Sequence, residues 1–324
     1  MHARVLLFII LSFSNIYAAQ AELNVEDAQS KSQGIILYNQ LKFESATPFL
    51  QKASDAGDHE AQYFLAETLR KKNHYMNPEA RKWYEASAKQ DDLYAMIQLG
   101  RSENDICDIT QDCPTPQKKP IEWLNQAKKI AQEKSKLGNA EAMYLMYEIT
   151  LDESWLQKAA LAGDAQAQYW IAIGYKQGEG FFLPWKRSEE VEKWFKLSSE
   201  NGNPKSMMEY AALLYEKGDL DGFRYWNEQA ALVGNAESVY NFGSYLAHEP
   251  DTFGFPYDPV KAYSLISSLR ILDGGGGMKV NVEYKLPIIA AKLTSSQISE
   301  ANDLSKKWAL SHPPLSFFPE KLSR

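Results

Sequence analysis

The 324-residue sequence holds only two cysteines and five histidines, and beyond its first two dozen residues it has no apolar run long enough to cross a bilayer. No two of the histidines (His2, His59, His74, His248 and His312) stand four residues apart, and no cysteine accompanies them at ligand spacing. A zinc site of ordinary spacing is therefore not expected. The Gly-x-Ser-x-Gly turn of serine hydrolases is missing as well, and the many carboxylates do not sort into an acid/base couple, so no catalytic residue, metal or cofactor is assigned. Basic residues are the minority charge: 35 Lys and Arg against 42 Asp and Glu give a net charge of -7, which argues against nucleic acid as a partner. A run of four glycines, Gly274 to Gly277, continues as Met278-Lys279-Val280 rather than as Lys-Ser or Lys-Thr. It is read as a flexible connector and not as a phosphate cradle.

What is present begins with a leader. Arg4 precedes an apolar stretch from Val5 to Ile16, and Ala19-Gln20-Ala21 forms a small-x-small cleavage site. A bilayer span needs about 20 apolar residues, and this run is about 12, so it reads as a secretory signal peptide cleaved after Ala21. The chain is then expected to be exported, to the periplasm if the source is bacterial, and not embedded in a membrane.

The remainder is repetitive. Gly followed by Asp or Asn recurs at Gly57-Asp58, Gly138-Asn139, Gly163-Asp164, Gly202-Asn203 and Gly234-Asn235, with a degenerate copy at Asp91-Asp92. Four residues after each anchor stand Ala61, Ala95, Ala142, Ala167, Ser206 and Ser238, and eight after stand Leu65, Leu99, Met146, Ile171, Tyr210 and Phe242. Small and large residues alternating at this spacing predict the packed first helix of a hairpin, capped by the Asp or Asn. Eight residues before the anchors stand Phe49, Trp83, Trp155, Trp194 and Trp226, with Trp123 displaced, which predicts a second helix carrying one ring wedged between neighbouring hairpins. A row of rings stacked on a ligand also fits, but repetition of the position favours packing.

These residues resemble the Sel-one-like repeat (SLR) family, related to the tetratricopeptide repeat (TPR). Gly254-Phe255-Pro256-Tyr257-Asp258-Pro259-Val260-Lys261-Ala262-Tyr263 is similar to the family's loop-and-helix phrase, and Asn77-Pro78-Glu79-Ala80 with Trp83-Tyr84 is a shorter match. The resemblance implies an all-α fold, a right-handed α-solenoid of about six to seven antiparallel hairpins. The domain plan is a signal peptide at 1-21, the solenoid at 22-272 with an insert at about 101-119, and a glycine linker, capping helices and loose tail at 273-324. The first hairpin is expected to start at Gly34. Thr294-Ser295-Ser296-Gln297 is a capping box opening the last, capping helix. Within the insert, Cys107 and Cys113 are expected to pair as a disulfide in an oxidising compartment.

In such a stack the first helices line a concave surface. Offsets of three, seven and ten from the anchors share a face. They carry Glu60, Phe64 and Glu67, then Glu141, Leu145 and Glu148, then Gln166 and Trp170, then Lys205 and Glu209, and finally Glu237. An acidic groove with an apolar middle around Trp170 is expected to accept a basic protein or peptide. The reading is an exported protein-protein interaction scaffold rather than an enzyme. Resemblance to periplasmic family members implies, as one role, an immunity protein that sterically blocks a secreted antibacterial toxin. An envelope adaptor or regulator using the same groove is the alternative. A cell-wall or β-lactam-active enzyme, the property of a disulfide-rich branch, is disfavoured by the two cysteines.

Overall fold

A computed structural model describes residues 23-102, 118-180 and 183-322. The leader at 1-21, both cysteines and the expected disulfide, and Phe181-Phe182 lie outside the described residues. Sixteen α-helices and no β-strand occur among the described residues.

One dipeptide builds each junction between repeats. The anchor glycines adopt left-handed backbone, with φ from 84° to 96°, and Asp91 takes that role in the degenerate copy at φ 63°. This turn ends a helix, and the next N-H then reaches back five residues, as Asp164 does to the Ala159 carbonyl at 3.0 Å. The same Asp or Asn opens the following helix. Asp58, Asp92, Asn139, Asp164, Asn203 and Asn235 each accept the N-H three residues ahead at 2.7-3.0 Å.

Seven hairpins follow from these junctions. Helix α1 (Val25–Asn39) pairs with α2 (Phe43–Asp55), α3 (His59–Asn73) with α4 (Pro78–Ala88), and α5 (Leu93–Gly100) with α6 (Pro120–Lys136). Next come α7 (Ala140–Thr150) with α8 (Glu153–Leu161), and α9 (Ala165–Gln177) with α10 (Pro184–Glu200). The last two are α11 (Pro204–Glu216) with α12 (Leu220–Leu232), and α13 (Ala236–Leu246) with α14 (Pro259–Ser268). Helices α15 (Met278–Ala290) and α16 (Ser295–Ser311) pack on α14 and cap the stack, α16 opening on the Thr294-Gln297 capping box. The molecule is an all-α solenoid of helical hairpins.

The packing follows the expected register closely in the first helices. All six small residues at offset four are at most 1% exposed or wholly buried, and all six large residues at offset eight are buried. A small residue lets the neighbouring axis close in, and the large one fills the gap beside it. The ring row of the second helices is less uniform. Trp83, Trp123 and Trp194 are buried and Trp155 and Trp226 half-buried, whereas Phe49 is 41% exposed.

Two further expectations change. The first hairpin starts at Val25, not Gly34: Asn24 caps α1, and Gly34 lies mid-helix where a side chain would strike Leu50 at 2.7 Å. The glycine run is a contact and not a free linker. Gly274 lies so close to the first hairpin that a Cβ there would meet the Leu41 carbonyl at 2.8 Å, and beside it Asp273 pairs with Lys42 at 2.8 Å. The solenoid thus curls until its last repeat meets its first.

The segment after α16, expected to be loose, is docked. Its Leu315 is buried in the core formed by the last repeats and its Leu322 in the core formed by the first ones. Between them the backbone is bonded to both ends of the stack: Ser316 N-H donates to Gly234 O at 2.9 Å, Ala236 N-H to Ser316 O at 3.0 Å, and Phe317 N-H to Asn39 O at 2.9 Å. Gln40 Nε2 donates to Leu315 O at 3.2 Å. Residues 313-322 therefore strap the ring across its hollow side.

Candidate functional site

The hollow side holds a cavity of about 490 Å³, bounded by the first helices of six hairpins and by the strap. Its wall is made by the last turn of α1, with Ile35 and Asn39, and by the first two turns and caps of the other five helices. Glu60 and Phe64 come from α3, Tyr94 from α5, Glu141 and Tyr144 from α7, and Lys205 from α11. The capping dipeptides set this arrangement, because each Asp or Asn fixes where its helix begins and so which side chains reach the hollow. Asp164, the cap of α9, is itself in the wall, and burial raises its carboxyl above the ordinary value.

Tyr94 and Tyr144 share the polar surface with Glu60, Glu141, Gln166 and Asn203. Tyr94 donates its hydroxyl to Glu141 at 2.5 Å, and Tyr63 donates to the backbone carbonyl of Lys321 in the strap. Burial, and next the neighbouring Glu141 for Tyr94 and Glu148 for Tyr144, pushes these hydroxyls well above the ordinary phenol value. They remain neutral hydrogen-bond donors over the whole physiological range, suited to carbonyl oxygens. Charge is divided rather than uniformly acidic. Lys205 pairs with Glu320 of the strap at 3.1 Å, and Lys321 Nζ lies 4.7 Å from the centre of the Tyr94 ring.

The structure separates the residues expected in the groove into three groups. Glu60, Phe64 and Glu141 line the cavity, and Glu60 also pairs with Lys31 at 3.1 Å. Glu237 is exposed on α13, and Trp170 is half-buried edge-on to Tyr169 at 5.3 Å. The others are committed elsewhere. Glu67 is wholly buried and accepts hydrogen bonds from Tyr84 at 2.6 Å, Gln98 at 2.7 Å and Arg70 at 3.0 Å, so it cannot meet a partner. Leu145 is 2% exposed within the core. Glu148 is paired with Arg101 at 2.6 Å and Glu209 with Lys176 at 2.7 Å. The pattern is physical: Glu60 and Glu141, in the first turns, open to the hollow, while one turn on Phe64 and Leu145 are both buried in one core, Phe64 still bordering the cavity, and Glu67 a turn further is enclosed. Tyr63, Tyr94 and Tyr144 are functional residues outside the expected groove set. Tyr63 and Tyr144 sit at offset six among the large packing residues, and a Tyr in place of a purely apolar residue was the signal that a polar tip needed a partner.

Among the described residues no group of three or more His, Cys, Asp or Glu could hold a metal ion, and no helix is long and apolar enough to cross a membrane. No family model and no curated protein matches the chain. Similar solved structures are helical-repeat proteins. One is c5321, described as a protective antigen of uropathogenic Escherichia coli displaying an SLR fold, at 19% identity over 89% of this chain and with a TM-score of 0.48. This chain spans 62% of that protein's length. Another is a Sel1 repeat protein from Oxalobacter formigenes, at 20% identity over 75% of this chain and 96% of that one, TM-score 0.38. PilF of Pseudomonas aeruginosa is similar at 16% identity over 80% and 97%, TM-score 0.29. At these values the hairpin architecture rests on the chain's own helices and caps.

Proposed function

We propose that this protein is an exported protein-protein interaction scaffold without catalytic machinery of its own, and that it works by enclosing part of a partner protein in its hollow face. One observation carries the reading: six first helices converge on a cavity already occupied in part by non-helical polypeptide of the chain itself. Repeat stacks of this kind offer broad concave surfaces whose affinity comes from many shallow contacts. Export is supported by the leader-like segment ending at Ala21. A partner with a basic surface is supported by Glu60, Glu141 and Glu237, which stay open or partly open after the other carboxylates are withdrawn. In the finer form of the proposal the partner is a secreted antibacterial toxin and the scaffold its immunity protein, acting by steric occlusion.

The test is affinity capture from an envelope extract with the chain beginning at Glu22, beside a Glu141→Lys, Glu237→Lys variant. The expected result is a specific partner that is lost in the variant and weakened by salt, since exposed charge pairs are screened. A partner unaffected by both treatments, or turnover of a cell-wall substrate, would count against the reading.

A further inference from the structure

The strap has the features of a ligand. Its backbone is held by an isolated parallel bridge, in which Ser316 N-H donates to Gly234 O and Ser316 O accepts from Ala236 N-H, and by the Tyr63 hydroxyl at the Lys321 carbonyl. Its side chains meet complementary groups: Glu320 finds Lys205, Lys321 finds the Tyr94 face, and Leu322 enters an apolar socket in the core of the first repeats. Yet it fits incompletely. A cavity of about 490 Å³ remains between it and the helices, and Phe317, Phe318 and Pro319 are only half-buried. Interiors that serve only to stabilise a fold pack far more densely.

Resting on the scaffold reading, we infer that the groove is a receptor for a partner segment of the pattern aromatic-Pro-acidic-basic-Leu that adopts the bent course of the strap, left-handed at Phe318, and that Ser316–Leu322 is the internal occupant that segment displaces. The acidic residue of the partner takes Lys205, its basic residue takes the Tyr94-Glu141 wall, and its leucine takes the Leu322 socket. Because the strap also bridges the first and last repeats, its displacement frees the two ends of the ring from one another. An attached segment competes at an effective concentration of about 1 mM, so the intact chain masks its own groove.

The experiment uses the whole chain and a fluorescent peptide of residues 315-322, Leu-Ser-Phe-Phe-Pro-Glu-Lys-Leu, read by anisotropy. Glu320→Lys in the protein turns the strap's own pair with Lys205 into a repulsion at a half-buried position. It should let the peptide bind at least about tenfold more tightly than the unaltered chain does, by removing the competitor. A Lys205→Glu chain should prefer a peptide carrying Lys in place of its Glu, a reversal that only direct recognition produces. No saturable binding to either variant up to about 1 mM would overturn the inference. So would equal affinity for the altered and unaltered chains, or unfolding of the Glu320→Lys chain, which would make the strap part of the fold. If the peptides fail while Glu141→Lys, Glu237→Lys still abolishes capture of the partner, the scaffold reading stands and only this inference falls.

Discussion

At the scale of single residues, two carboxylates that look alike in sequence have opposite roles. Glu67 is wholly enclosed and holds four side-chain donors, Tyr38, Arg70, Tyr84 and Gln98, from its own and adjoining hairpins, so replacing it leaves buried polar groups without an acceptor. Glu67→Ala should cost about 3-5 kcal/mol, read as a fall in the urea midpoint. Glu237→Ala, on the open surface, should change stability by less than about 0.5 kcal/mol. His59 gives a pH signature. Its hydrogen bond to Asp92 at 3.1 Å links α3 to the cap of α5 and, against the opposing effect of burial, raises the imidazole above its ordinary value. The protonated form is thus favoured in the folded chain. Its stabilisation is complete below the unfolded value of about 6.5 and is lost as pH rises through the higher folded value. The melting-temperature gap between the unaltered chain and His59→Gln should therefore narrow from pH 5.5 to pH 8; a constant or widening gap would refute this.

At the scale of elements, the repeat was readable because its signals are local. Gly163 and Asp164 state in two letters where one helix stops and the next starts, and the structure uses both as the letters require. The start of α1 was misread for the same reason in reverse. No Gly-Asp anchor precedes it, and Gly34, which looked like a boundary, is there to admit Leu50. The anchors are not equivalent, and this can be measured. At Gly163 the space is open, so Gly163→Ala should cost about 1-2 kcal/mol from left-handed backbone alone. At Gly234 an added Cβ would meet the Pro314 carbonyl at 2.8 Å. Gly234→Ala should cost more than Gly163→Ala and should release the strap, seen as new protease sensitivity in residues 312-322. Equal losses, with the strap still protected, would contradict the geometry.

At the scale of the whole molecule, the sequence was silent where the structure is most informative. Closure of the ring joins Lys42 to Asp273 and Asn39 to Phe317, residues more than 200 positions apart, and much of it runs through backbone atoms that no residue type advertises. The same holds for the site. Glu60, Phe64 and Glu141 could be placed from helical periodicity, but the loss of Glu67 and Leu145 to the core depended on which neighbours cover the far turns of each helix. The four glycines look like slack, yet Gly274 lies directly against Leu41 and Lys42 of the first hairpin.

Amide hydrogen exchange on the intact chain tests the closed, strapped ring most directly. The amides of Ala236, Ser316 and Phe317 each have a partner only because residues 313-322 lie in the hollow face. They should exchange slowly, and together, as one cooperative unit. Exchange of Ser316 and Phe317 at the rate of an unstructured peptide would contradict the account.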